Sequence, residues 1–167
     1  LTNASRTLDL GTVGVTGTLV VETNAGSITD SGVLTVAGTS SFTTATSDDD
    51  ITLDQISSFT GAVSLSTTGS TGNASLTNAA IALNLGTVGV GGNLAVETNA
   101  GNITDSGVLT VGGTSSFTTA TSNDDITLAQ VSSFTGAVSL STIGSTGNVS
   151  LTNAAIALNL GTVGVGG

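Results

Sequence analysis

The stretch Val108–Gly136, VLTVGGTSSFTTATSNDDITLAQVSSFTG, contains one pattern twice. Slid along itself by seventeen positions, from 109 to 126, it places Leu109 on Ile126, Val111 on Leu128, Ser115 on Ser132, Ser116 on Ser133 and Phe117 on Phe134. Apolar meets apolar and polar meets polar. So short a period is too small for a domain but long enough for a chain to circle once and return above itself, the sequence signature of a β-solenoid. Phe117 and Phe134, with their counterparts Phe42 and Phe59, are therefore expected to stack as neighbours inside one continuous core.

Outward from this stretch, the self-similarity extends to the whole chain. Residues 1–75 reappear as 76–150 without insertion or deletion, about four-fifths of positions are identical, and 151–167 begin a third copy. The expected organisation is one continuous solenoid without caps, made of repeat 1 (1–75), repeat 2 (76–150) and the start of repeat 3 (151–167). Within it, short apolar-x-apolar segments recur at Leu34–Val36, Ile51–Leu53, Ala74–Leu76, Leu94–Val96 and Leu109–Val111. Their spacings are seventeen, twenty-three, twenty and fifteen. Alternation of this kind marks strands with one buried face. Gly, Asn, Asp and Ser collect between them, at 37–41, 69–73 and 98–101, where corners need positive φ or local side-chain bonds. Apolar residues do not recur at helical spacing, and Gly and Thr are too dense for helix. A β-sandwich also has many short strands, but it does not predict a self-overlay in which Phe falls on Phe.

The predicted fold is all-β, a right-handed parallel β-helix with about four coils per 75-residue repeat, since parallel crossovers are almost always right-handed. At about 4.8 Å per coil, a repeat would advance about 19 Å and the chain about 40 Å. Such a rod has two open sheet ends that recruit further strands unless covered. Leu1–Val15 and Leu151–Val165 are ordinary repeat sequence, so the segment is expected to continue into further repeats, in the same chain or end to end.

Composition restricts function. Eleven carboxylates face a single basic residue, Arg6, for a net charge of −10, and His, Lys and Cys are absent. A phosphate backbone would meet no positive patch, which argues against nucleic-acid partners. No apolar run approaches the roughly 20 residues of a membrane-spanning helix, so membrane insertion is not expected. A Ser-His pair, a Cys nucleophile and a Lys Schiff base are all impossible. Paired carboxylates remain, and the densest group is Asp48–Asp50 with Asp54, whose repeat is Asn123–Asp125 with Ala129. Half of the group is lost between copies, and acidic residues before a strand commonly form solvated turns, so no enzymatic activity is expected. The same turn is the place where oxygen ligands could hold calcium. Asp48, Asp49, Asp50, Asp124 and Asp125 are its weak metal candidates, although no recognised calcium-loop motif is present. Beyond a weakly bound calcium, no cofactor is expected. Asn-x-Ser/Thr sequons stand at Asn3, Asn73, Asn102 and Asn148.

The run GVLTVGGTSSFTT (107–119), followed by DITL (125–128), FTGAVSL (134–140) and, earlier, NLAV (93–96), resembles the passenger repeats of filamentous-haemagglutinin-like bacterial surface adhesins, of the two-partner-secretion or autotransporter type. The likeness covers the whole chain. It implies a long right-handed β-helix, an extracellular or cell-surface location, and a role in attachment or biofilm as a stiff stalk or filament. The partners it implies are other copies of the repeat, a host or neighbouring-cell surface, or a polysaccharide. The family's secretion domain with its Asn-Pro motifs has no counterpart here, and no binding residue carries over. The competing reading is a carbohydrate-binding or carbohydrate-cleaving β-helix that uses the Asp48–Asp50 turn.

Overall fold

The computed structural model describes residues 1–3, 6–154 and 156–166. All its regular elements are strands, and every strand pairing among the described residues is parallel. One sheet of nine strands and one of ten face each other across a single core. The chain passes through both sheets in every coil. Along the ten-stranded sheet the ladder runs Leu8, Ile28, Ile51, Ala74, Leu94, Ser115, Val138, Leu160. These eight levels are successive coils, and the numbering advances between them by twenty at least, as from Leu8 to Ile28, and by twenty-three at most, as from Ile28 to Ile51. The predicted parallel β-solenoid is thus the fold.

Strand formation follows the local chemistry. In Ile51–Phe59, Ile51, Leu53, Ser57 and Phe59 are buried while Asp54, Gln55 and Ile56 are exposed. In Leu94–Ala100 the inward residues are Leu94, Val96 and Thr98, and the outward ones Ala95 and Glu97. Alternation places Val, Ile, Leu and Phe in columns down the axis, where each packs on its equivalents above and below.

One expectation needs correction. The seventeen-residue period is not one coil. Phe117 lies over Val96 and under Leu140 in one sheet, whereas Phe134 is laddered to Val111 in the other. Phe42 likewise lies between Val21 and Leu65, and Phe59 on Val36. All four rings are fully buried, but the members of each pair meet across the core, edge to face, with centroids 6.0 Å apart for Phe42–Phe59 and 6.1 Å for Phe117–Phe134. The period carries the chain from one sheet to the opposing one, and a similar apolar pattern serves both because both line the same core. Of the four spacings between apolar-x-apolar segments, only those from Ile51 to Ala74 and from Ala74 to Leu94 are true coil steps.

The repeat holds about four coils, as expected, and more closely three and a half. From Leu8, three coil steps through Ile28 and Ile51 reach Ala74. Leu83, the repeat equivalent of Leu8, lies farther on, near the middle of the next coil, which closes at Leu94. The same three steps then carry Leu83 to Ile103, Ile126 and Val149, now in the nine-stranded sheet. Successive repeats are therefore related by a half turn about the rod and an advance of about 17 Å. No boundary separates them, because the strand Ala74–Ala80 runs across the junction between residues 75 and 76.

At one corner the coils touch backbone to backbone. A Cβ on Gly61 would collide with the carbonyl of Gly38, and one on Gly38 would lie 2.5 Å from the carbonyl oxygen of Gly17. Gly61→Ala should cost about 1–3 kcal/mol by forcing the coils apart, whereas Gly89→Ala, whose Cβ would meet nothing within 4 Å, should leave the thermal midpoint unchanged or raised. The register has its own check, because parallel neighbours on one sheet face sit within disulfide reach. In this cysteine-free chain, the pair Ser41→Cys and Ser64→Cys, which are ladder partners, should oxidise to a cross-link. The pair Ser116→Cys and Ser133→Cys, on opposite sheets, should not; the reverse outcome would refute the register.

Candidate functional site

The acidic turn contains an uncommon backbone conformation. Asp48 has φ of 70°, in the left-handed region, and its repeat equivalent Asn123 has the same value. Asp and Asn tolerate this region better than other side-chain-bearing residues. The turn divides its three consecutive carboxylates between the two neighbouring coils, Asp48 and Asp50 reaching the following one and Asp49 the preceding one. Asp48 Oδ1 accepts from the amides of Ser70 (3.2 Å) and Thr71 (3.0 Å) in the following coil. Asp49 Oδ2 accepts from the amide of Gly26, 2.8 Å away in the preceding coil. Asp50 Oδ1 accepts from the amide and side chain of Asn73 at 2.7 and 3.0 Å.

The second copy repeats the arrangement. Asp124 accepts from the amide of Gly101 at 2.9 Å and from the Thr121 hydroxyl. Asp125 accepts from the amide and side chain of Asn148 at 2.7 and 3.1 Å. The five metal candidates are thus each engaged in hydrogen bonds, almost all between coils, rather than gathered about one point. Among the described residues no group of three or more His, Cys, Asp or Glu is placed to hold a metal ion.

Asp50 belongs to a larger feature that the motif search missed. Its amide donates to Ser27 Oγ (3.0 Å), and its carboxylate holds Asn73. Asn73 Oδ1 accepts from the amide of Asn93 (2.8 Å), and Asn93 Oδ1 accepts from both the amide and the hydroxyl of Thr114 (2.8 Å each). Ser27, Asp50, Asn73, Asn93 and Thr114 form a polar ladder through five successive coils. A second ladder, Asn102–Asp125–Asn148, stands half a turn away around the rod. The signal was present in the sequence: each of these residues immediately precedes a strand's first inward residue, as in Ser27-Ile28, Asp50-Ile51, Asn73-Ala74 and Asn93-Leu94. The sequon side chains Asn73 and Asn148 spend their amide donors on Asp50 and Asp125, so a glycan there would break a rung.

Below the bulged segment Asp54–Ile56, Asp30 performs a related task. Its Oδ1 accepts from the amides of Asp54 (3.0 Å) and Gln55 (3.3 Å), while its Oδ2 is buried without a partner. In the second copy Asp105 caps the amides of Ala129 and Gln130. Replacement of Asp54 by Ala129 therefore leaves the bulge intact and removes only the exposed bond from Ser75 Oγ to Asp54, 2.7 Å.

Burial, reinforced by the charge of Asp54, raises the Asp30 pKa against the opposing effect of the amide bonds. Hydrogen bonds from the hydroxyl and amide of Thr71, and from the amide of Ser70, lower that of Asp48. The two have opposite linkage signs. The depressed Asp48 contributes stability that is present above its unfolded value of about 3.9 and lost as pH falls through its folded pKa; the raised Asp30 contributes at low pH and loses that contribution as pH rises through its folded pKa. Denaturant melts between pH 2 and 7 should show Asp48→Asn near wild type at neutral pH, as Asn123 already fills that role, with reduced loss in acid. Asp30→Asn should gain on wild type as pH rises from about 3 to 6, and a pH-independent difference would refute this assignment.

A family model described as repeats of unknown function (DUF5649) matches residues 1–66 and 71–141. No curated protein and no solved structure matches the chain. With most of its length matched in two successive segments, the chain belongs to the DUF5649 family of repeats.

Proposed function

We propose that the chain is a structural repeat segment of an extracellular bacterial adhesin or surface fibre, a stiff β-helical stalk for attachment or biofilm. The observation that carries this reading is continuity. The ladder from Leu8 to Leu160 crosses the repeat junction without a break, and the buried apolar cluster extends with it. A rod in which every interior coil is bonded to two neighbours bends only by straining many ladder bonds at once, which suits a spacer. The carboxylates of the acidic turns are used to join coils, which fits a mechanical role better than a catalytic one. The adhesin and cell-surface parts rest on the resemblance of the repeat sequence to filamentous-haemagglutinin-like passengers.

Chains of one, two and four repeats, imaged by negative-stain electron microscopy, should give rods of constant width that lengthen by about 17 Å per added repeat. Immunogold labelling of the source cells should place the protein at the surface. Particles whose length is independent of repeat number would overturn the stalk, and label confined to the cell interior would overturn its location.

A further inference from the structure

The four Asn-x-Ser/Thr sequons have no part in the stalk, and the structure tells them apart. N-glycosylation replaces a hydrogen of the Asn side-chain nitrogen, so it is best accommodated where that nitrogen holds nothing else. In three of the sequons the nitrogen is already a donor. Asn3 Nδ2 donates to the carbonyl of Arg6 at 2.6 Å, Asn73 Nδ2 to Asp50 at 3.0 Å, and Asn148 Nδ2 to Asp125 and to the carbonyl of Thr146 at 3.1 and 2.9 Å.

Asn102 differs. Its Oδ1 accepts from the amide of Asp125 at 2.8 Å, and its side chain makes no other hydrogen bond among the described residues. Because an N–H faces that position, the oxygen must occupy it, and Nδ2 is turned away from the rung. The residue is exposed, at the corner that follows Gly101. Ile103, fully buried, holds the segment from within, and Thr104 comes next on the outer side, half-buried.

The first copy shows what Asn102 adds. The equivalent residue, Ser27, serves the same rung with Oγ, which accepts from the amide of Asp50 at 3.0 Å. The rung thus requires an acceptor and nothing more. Asn in the second copy keeps the acceptor and brings an amide nitrogen that no coil uses. Since Thr104 matches Thr29, this one substitution also completes the sequon Asn102-Ile103-Thr104.

We propose that Asn102 carries an N-linked glycan in the mature protein. The transfer forms a bond between Nδ2 and the anomeric carbon of a sugar supplied by a diphosphate-activated donor. The bond from that carbon to the diphosphate oxygen breaks, the diphosphate leaves with the electron pair, and one amide proton passes to a base of the transferase. With Ile103 buried and its amide bonded to the carbonyl of Asp125 at 2.9 Å, the closed coil keeps this segment out of a transferase cleft. The sugar is therefore added before the coil closes, and the fold decides where it can stay. At Asn102 the rung survives attachment, because it uses Oδ1 alone. At Asn73 and Asn148 the sugar would crowd a nitrogen already held by an Asp of the preceding coil. The proposal is independent of the stalk reading.

Glycopeptide mapping by mass spectrometry of the protein purified from its source cells should find sugar on the peptide containing Asn102 and none on those containing Asn73 and Asn148. An unmodified Asn102, or sugar spread equally over these three sequons, would overturn the proposal. Coexpression of the chain with a sequon-directed N-glycosyltransferase that uses UDP-glucose isolates the geometry. The soluble, protease-resistant chain should carry glucose at Asn102, with its thermal midpoint unchanged by the sugar. Asn102→Ser, which copies Ser27 and keeps the rung acceptor, should lose that glucose completely and melt as the wild type does. Glucose on Asn73 or Asn148 of the folded chain at the level of Asn102, or a midpoint lowered by the sugar on Asn102, would equally overturn the assignment.

Discussion

Parallel pairing of each coil with the coil beneath it is the interaction on which the rest of the molecule depends. A single circuit, such as the one from Ile51 to Ala74, cannot bury its inward face, since two short strands enclose no volume on their own. Stacked, the circuits share one core, and each inward position becomes part of a column. The Phe42–Phe59 and Phe117–Phe134 contacts then fasten the two sheets to each other across that core. Stability in such a molecule accumulates from neighbour to neighbour, so local features that keep coils in register count for more than any single tertiary contact.

The corners show how register is kept. The ladder Ser27–Asp50–Asn73–Asn93–Thr114 satisfies backbone amides where strand pairing lapses, and it does so with side chains of the right reach rather than with disulfides. Inward polar groups follow the same logic: Ser57 Oγ takes the amide of Leu34 at 2.9 Å, and Asn78 Oδ1 that of Phe59 at 3.0 Å, both fully buried. A buried amide without a partner costs more than a hydrogen bond returns, so these few Ser and Asn residues are as necessary to the core as its apolar columns. The acidic turn, which looked like chemistry in the sequence, belongs to this set.

A repeat of three and a half coils has a geometric consequence for the surface. Identical sequence appears alternately on opposite sides of the rod, as Phe42 and Phe117 do inside it. Neither sheet is therefore the product of one half of the repeat, and a substitution confined to one copy, such as Ala95 for Val20, marks one face at one height. Diversity between copies is how a monotonous rod acquires a particular place on its surface.

Much of this was legible in the residues. Alternation of Val, Ile, Leu and Phe with Ser and Thr, the duplication without insertion or deletion, and the absence of helical spacing determined parallel coils around one core, because the two-residue period of a strand and the circuit of a solenoid both leave direct imprints. Four Phe were placed in the core for the same reason. What the residues did not reveal is which circuit returns above which. The match between Phe117 and Phe134 reports equivalence of environment, and two opposite walls of one core are as equivalent as two stacked positions. Only the ladder itself, formed by backbone groups that every residue carries alike, decides the coil length, the half turn between repeats, and the direction in which Asp48, Asp49 and Asp50 are aimed.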